Sequence, residues 1–81
     1  MLDYKSLDNK FYVRIVSDHK QAALERAEKL FGKLEMLHRD GEAADEAAFI
    51  TEAINESKFE EYCSQLAEVA EIKGTVRVLN Y

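Results

Sequence analysis

One stretch near the beginning of the chain reads Phe11-Tyr12-Val13-Arg14-Ile15-Val16. Aromatic and β-branched residues favour extended backbone, so this stretch predicts the first strand of a sheet. Because successive side chains of a strand point to opposite faces, Val13 and Ile15 are expected on the core side. Arg14 is then expected on the other side, away from the core.

A helix is predicted directly after this strand. Residues 19–31 place small and apolar side chains on one stripe and charged side chains on the opposite one. Ser17 and Asp18 precede this stretch, and either can cap a helix by accepting a hydrogen bond from a backbone N–H group. Gly32 is expected to end the helix, because glycine readily adopts the left-handed conformation found there.

The remainder of the chain predicts three more strands and a second helix. The predicted ranges are 34–38, 48–54 and 75–79 for the strands, and 56 to about 72 for the helix. Asn55 is one candidate cap for that helix, and Ser57 with Glu60 forms an alternative capping box. The order βαββαβ predicts an α+β protein, a ferredoxin-like sandwich with a four-stranded antiparallel sheet and two helices on one face.

Length and charge limit the classes of protein to consider. The chain has 81 residues and a formal net charge of −5. This length predicts one domain, assigned to residues 10–81, with residues 1–9 as a linker or tether. The acidic balance disfavours nucleic acids and anionic membranes as partners, because phosphates attract basic surfaces. A lone Cys63 and the lack of a long apolar run predict a soluble, cytoplasmic protein.

No motif predicts catalysis or a resident cofactor. The sequence has neither a glycine-rich phosphate loop nor a nucleophile spaced from a base. Cys63 falls on the predicted buried stripe of the second helix and is interpreted as a small apolar filler. His19 and His38 are too few for a zinc site, and residues 47–52 lack the basic residue of RNA-recognition strands. We therefore expect no catalytic residue, no metal site and no cofactor.

The side of the sheet away from the helices is a candidate contact surface. Val76 and Val78 fit the core side, so their strand neighbours are expected to point away from the helices. The residues predicted for this surface are Tyr12, Arg14, Arg77 and Leu79. The surface is either an ordinary exposed sheet face or an interface covered by a second copy of the chain.

Several segments resemble ACT domains, and the resemblance covers residues 10–81. The segments that carry it are Phe11-Tyr12-Val13-Arg14-Ile15, residues 34–38, Phe49-Ile50-Thr51-Glu52, Leu66-Ala67-Glu68-Val69 and Ile72-Lys73-Gly74-Thr75-Val76-Arg77-Val78. The last three are similar to the C-terminal regulatory domain of homoserine dehydrogenase. The ending Gly74-Thr75-Val76-Arg77 is also similar to the serine-sensing ACT domain of phosphoglycerate dehydrogenase.

The resemblance implies amino-acid sensing by paired domains. ACT domains form homodimers or higher homo-oligomers and bind small amino acids near the loop between the first strand and the first helix. The corresponding residues are Ser17, Asp18, His19, Lys20 and Gln21. Asp18 matches the acidic residue of the family's Asp-x-Pro-Gly pattern, whereas Lys20 and Gln21 replace its proline and glycine.

Two hypotheses of different kinds follow from the resemblance. The first is a regulatory part of an NAD(P)-dependent homoserine dehydrogenase, without enzymatic activity of its own, that responds to threonine or a similar amino acid. The second is a purely structural dimerisation module without a ligand, because Gln21 would crowd a site where glycine lets a ligand approach. A serine-sensing domain and a stand-alone small enzyme or metal carrier are further alternatives.

Overall fold

A computed structural model describes residues 7–38 and 40–78, which form five strands and two helices. The elements are β1 (Asp8–Val16), α1 (Lys20–Phe31), β2 (Glu35–Leu37), β3 (Glu46–Ile50), β4 (Ile54–Asn55), α2 (Glu56–Leu66) and β5 (Glu71–Val78). The predicted α+β class is confirmed.

The strands form one curled antiparallel sheet with β1 at its centre. β2 pairs with β3, β3 pairs with one edge of β1, and β5 pairs with the other edge. Phe11, Val13 and Ile15 of β1 turn to one face, and both helices bury side chains against them. Neither Val13 nor Ile15 is exposed, so their predicted burial is confirmed.

Aromatic side chains fill the space between the sheet and the helices. Phe11 of β1 stacks on Phe59 of α2, with ring centroids 3.9 Å apart. The ring centroid of Phe31 in α1 lies 6.1 Å from that of Phe49 and 5.8 Å from that of Phe59. These rings join β1, β3 and both helices in a single core.

β1 begins three residues earlier than the sequence predicts. Asp8 and Asn9 pair with Asn55 and Ile54 of β4. Both residues belong to the stretch interpreted as a linker, whereas residues 1–6 of that stretch lie outside the described residues. The β propensity of polar residues is low, so the extension of β1 depends on its pairing with β4.

The predicted third strand, residues 48–54, is divided into β3 and β4, so the sheet has five strands rather than the four predicted. From Ile50 to Ile54 the chain advances by four positions. Their partners on β1, Tyr12 and Asn9, are three positions apart. One extra residue is therefore accommodated between β3 and β4, as in a β-bulge.

Thr51 makes this irregular step possible. Its N–H donates to the Phe11 carbonyl at 2.9 Å, and the Phe11 N–H donates to Thr51 Oγ1 at 3.2 Å. The hydroxyl in turn donates to the Glu52 carbonyl at 2.9 Å. A side-chain oxygen thus replaces the backbone acceptor that a regular ladder would offer, so the buried Phe11 N–H keeps a hydrogen bond.

The start of α1 differs from the prediction. His19 is the N-cap residue, and no side chain among the described residues accepts a hydrogen bond from the first turn, so neither Ser17 nor Asp18 caps the helix. The Ser17 hydroxyl accepts instead from the His19 N–H at 3.1 Å, a local bond that competes with capping. Gly32 ends α1 with a φ of 83°, as predicted.

The start of α2 is as predicted, with Asn55 as its cap. Asn55 Oδ1 accepts a hydrogen bond from the Lys58 N–H at 2.8 Å. The alternative capping box of Ser57 and Glu60 is therefore wrong. An acidic residue in the first turn, Glu56, adds a favourable interaction with the positive end of the helix dipole.

α2 ends at Leu66 rather than near residue 72. Residues 67–70 form a turn, in which the Ala70 N–H donates to the Leu66 carbonyl at 3.1 Å. Ile72, predicted as the end of the helix, lies in β5 and pairs with Ile15. Pairing in the sheet outweighs the helical pattern here, because Ile72 packs against the core.

The faces of β5 are opposite to those predicted. The register between β1 and β5 shifts between Arg14, paired with Gly74, and Ile15, paired with Ile72, so Lys73 is an extra residue on β5. An extra residue reverses which side chains face the core on one side of the bulge.

This reversal corrects three predicted positions. Val76 pairs with Tyr12 and Val78 pairs with Lys10, so both lie away from the helices, and Val76 is 59% exposed. Arg77 pairs with the buried Phe11 and therefore lies on the helix side, so the prediction that it shares the surface of Arg14 is wrong. Leu79, also predicted there, lies outside the described residues.

Candidate functional site

The loop between β1 and α1, predicted as the ligand loop, is held against the turn that follows α2. Ser17 is only 8% exposed, and its hydroxyl donates to the Val69 carbonyl at 3.0 Å. Its backbone N–H donates to the Asp45 carbonyl at 2.9 Å. Because the hydroxyl also accepts from the His19 N–H, Ser17 holds three segments together.

An open concavity of about 340 Å³ lies beside this loop, and we call it the loop concavity. It is lined by residues 16–19 from one side and residues 69–71 from the other. Asp18 and His19 are exposed at its border. Its volume is comparable to that of a small-molecule site, but it is shallow and open to solvent, so by itself it covers only one side of a ligand.

The chemistry of the loop concavity suits a zwitterionic ligand, which carries a carboxylate and an ammonium group. The backbone N–H groups at the start of a helix carry a partial positive charge and attract carboxylates. The first turn of α1, which begins at Lys20, contains no acidic residue and has no side-chain cap among the described residues. Asp18 supplies a carboxylate that can accept from an ammonium group.

Of the five predicted ligand residues, the structure brings three together. Ser17, Asp18 and His19 line the loop concavity, although Ser17 acts there through its role in positioning the loop. Lys20 does not line it, and Gln21 lines a separate groove of about 310 Å³ between α1 and the β2 side of the sheet. The predicted obstruction by Gln21 therefore does not apply to the loop concavity.

Sequence reasoning missed the other half of this lining. Val69, Ala70 and Glu71 were assigned to the interior of the second helix, whereas they form the turn and the first residue of β5. The apolar spacing of residues 66–70 continues the helical pattern, so no local signal marks the turn.

The second candidate surface is the side of the sheet opposite the helices, which we call the open face. Tyr12, Arg14 and Val16 of β1 lie on it, each half-buried. Arg14 Nε is buried and has no hydrogen-bond partner among the described residues. Arg14 also lines a depression of about 250 Å³ with acidic residues of the β2–β3 connection and of β3, namely Asp40, Glu42 and Glu46.

Cys63 is half-buried in α2, and this burial raises the pKa of its thiol to about 11, with a further contribution from the negative charge of Glu60. The thiol therefore stays protonated at neutral pH. Since the folded-state pKa lies above the ordinary value of 9.0, stability linked to this group is complete below about pH 9 and declines as the pH rises toward 11.

We expect iodoacetamide to alkylate Cys63 slowly in the folded chain. At pH 8.5 the shift of about two pKa units lowers the thiolate fraction by about a hundredfold relative to the urea-unfolded chain. Mass spectrometry of timed samples measures both rates. Equal rates in the folded and unfolded chains would contradict the burial of this thiol.

Two structural features are absent from residues 7–38 and 40–78. No group of three or more metal-ligating side chains is found in this part of the chain. Neither α1 nor α2 combines the length and apolar character that crossing a bilayer requires. Sequence comparison gives no match to a protein-family model and none to a curated protein.

Proposed function

We propose that the chain is a regulatory, amino-acid-sensing domain of the ACT type, which works as a pair of copies. Its fold is then the ferredoxin-like βαββαβ sandwich, with β4 as a short continuation of the third strand. The strand order β2-β3-β1-β5 and the common core of both helices support this assignment.

The loop concavity is the observation that carries the proposal. The ammonium group of a small amino acid is held by Asp18, and its carboxylate is attracted by the partial positive charge at the N-terminal end of α1. The ligand side chain lies toward Val69 and Ala70, which belong to the apolar part of the lining. The concavity is open to solvent, so pairing of two domains is the step that closes it around the ligand.

The regulated enzyme is proposed to resemble homoserine dehydrogenase, with threonine as the first candidate effector and the cytoplasm as the compartment. Support comes from the segments around Phe49 and Gly74 that resemble that enzyme's regulatory domain. The ligand acts by binding one arrangement of the pair more tightly than another, and the attached catalytic part responds to that shift.

Isothermal titration calorimetry with threonine, serine and the other amino acids at millimolar concentration tests the proposal. We expect one small amino acid to bind, and Asp18→Asn to weaken this binding by about tenfold or more, because a charge-assisted hydrogen bond is lost. Glu61→Gln, an exposed carboxylate on α2, is the matched control and leaves the affinity unchanged.

The second candidate is a structural dimerisation module without a ligand. The bonding of Ser17 favours it, because its hydroxyl is already bonded to the Val69 carbonyl and the His19 N–H and is not free for a ligand. Absence of heat and of any rise in melting temperature with every amino acid would select this module over the sensing domain.

A further inference from the structure

Cross-strand partners on the open face form two neighbouring rows. Their side chains differ most in size on β5, which has Val76 in one row and Gly74 in the next. The first row is Glu35, Ile50, Tyr12 and Val76, and the second is Leu37, Ala48, Arg14 and Gly74. Gly74 leaves a notch in the second row, since no described heavy atom lies within 4 Å of where its Cβ would be.

The rows outside these two carry opposite charges. On one side, Lys10 pairs with Val78. On the other, Val16 lies between Glu46 and Glu71. Glu71 forms an ion pair of 3.3 Å with Lys73 but keeps 67% of its side chain exposed, so it remains accessible to a partner. Glu35 and Glu52 line a concavity together with Lys10. The difference in charge is therefore between the row of Lys10 and the row of Val16, and not between the two ends of the sheet.

We propose that two copies of the chain stack open face against open face, about a two-fold axis that crosses the strands at Val13. This inference deepens the pairing in the proposed function and depends on it. A rotation about that axis lays the first row of one copy on the second row of the other. Each contact then occurs twice, as a two-fold interface requires.

On β5 and β1 this arrangement pairs side chains of complementary shape or charge. Val76 of one copy, which is 59% exposed, enters the notch at Gly74 of the other. Arg14 lies on the ring of the partner's Tyr12 as a cation–π contact. Strands of stacked sheets pack nearly aligned, which keeps these contacts in register along β1 and β5.

The same rotation brings the row of Lys10 in one copy against the acidic row of the other copy. Lys10 of one copy lies over Val16 of the other, within reach of the partner's Glu46 and Glu71 on the flanking strands. Complementary charges at the border of an interface fix its register and direction. A parallel stacking would instead put the acidic rows of both copies together, so the charges select the antiparallel arrangement.

Sedimentation equilibrium of the full chain tests this geometry. The wild type is expected to be a dimer, and Val76→Glu to weaken dimerisation by about a hundredfold, because a charge replaces the apolar contact in the partner's notch at Gly74. Gly74→Val fills the notch without strain in a single copy, so it weakens dimerisation by about tenfold or more while the unfolding curve at low concentration stays unchanged or improves.

Charge reversal tests the register itself. Lys10→Glu and Glu71→Lys are each expected to weaken the dimer by about tenfold, and the double variant to restore the wild-type dissociation constant. Lys29→Glu and Glu61→Lys make the same charge changes on exposed helix positions and serve as controls without effect.

Two outcomes would overturn the inference in distinguishable ways. A wild type that stays monomeric at all concentrations contradicts pairing itself, and with it the proposed function. A dimeric wild type with unaffected Val76→Glu and Gly74→Val variants contradicts only the stacking of open faces, since pairing through another surface then remains.

Discussion

The variant Phe49→Ala is expected to lower the free energy of unfolding by about 4 kcal/mol. Phe49 has no solvent exposure, and its ring contacts that of Phe31 in α1. Removing the ring leaves a cavity between β3 and the helices, which a small domain cannot close by relaxation. Urea denaturation followed by circular dichroism measures the loss.

A control variant separates this effect from a general sensitivity to truncation. Leu7→Ala removes apolar atoms from a side chain that is 42% exposed, and we expect a change below about 0.5 kcal/mol. A loss below about 1 kcal/mol for Phe49→Ala would contradict the aromatic core described for this fold.

Replacing Thr51 with valine is the second change with a large expected effect, a loss of about 2 kcal/mol in the free energy of unfolding. Valine has nearly the same shape, but it offers no acceptor to the Phe11 N–H, which is buried beneath the helices. An unsatisfied buried donor costs more than a missing surface contact.

Thr51→Ser is the matched control, because serine keeps the hydroxyl and loses one methyl group. We expect it to cost less than about 1 kcal/mol. Hydrogen exchange at the Phe11 amide gives an independent readout, with faster exchange in the valine variant alone. Equal stability of both variants would show that the hydroxyl does not hold the step between β3 and β4.

The alternation of apolar residues predicted β1 and its buried face. Val13 and Ile15 are separated by the charged Arg14, so one register buries both and leaves Arg14 on the other face. The end of α1 at Gly32 and the cap of α2 at Asn55 were also predictable, because each depends on a single residue. Gly32 adopts a positive φ, and the side chain of Asn55 accepts a hydrogen bond from the first turn of α2.

The faces of β5 could not be predicted, because the deciding feature is a single extra residue. Without the bulge at Lys73, Val76 would share the side of Ile72 and face the core. The bulge depends on how β5 pairs with β1, which is a property of the assembled sheet. The sequence of residues 71–78 does not show which of its side chains face the core and which face away.

The loop concavity was predictable in part. The resemblance to ACT domains indicated Ser17, Asp18 and His19 as ligand residues; they line the concavity, and their binding of a ligand stays a prediction. Their neighbours Val69 and Ala70 come from a turn that continues a helical pattern in the sequence, so their place depends on tertiary pairing of β5.

The most direct test of the central claim is a titration of the ¹⁵N-labelled chain with threonine, and then with each other small amino acid, followed by ¹H–¹⁵N NMR spectra. An amino acid that binds is expected to shift the amide signals of residues 17–21 and 69–71 far more than those of the outer face of α2. Unchanged spectra at millimolar concentrations of every amino acid, or shifts confined to other parts of the chain, would contradict an amino-acid site at this loop.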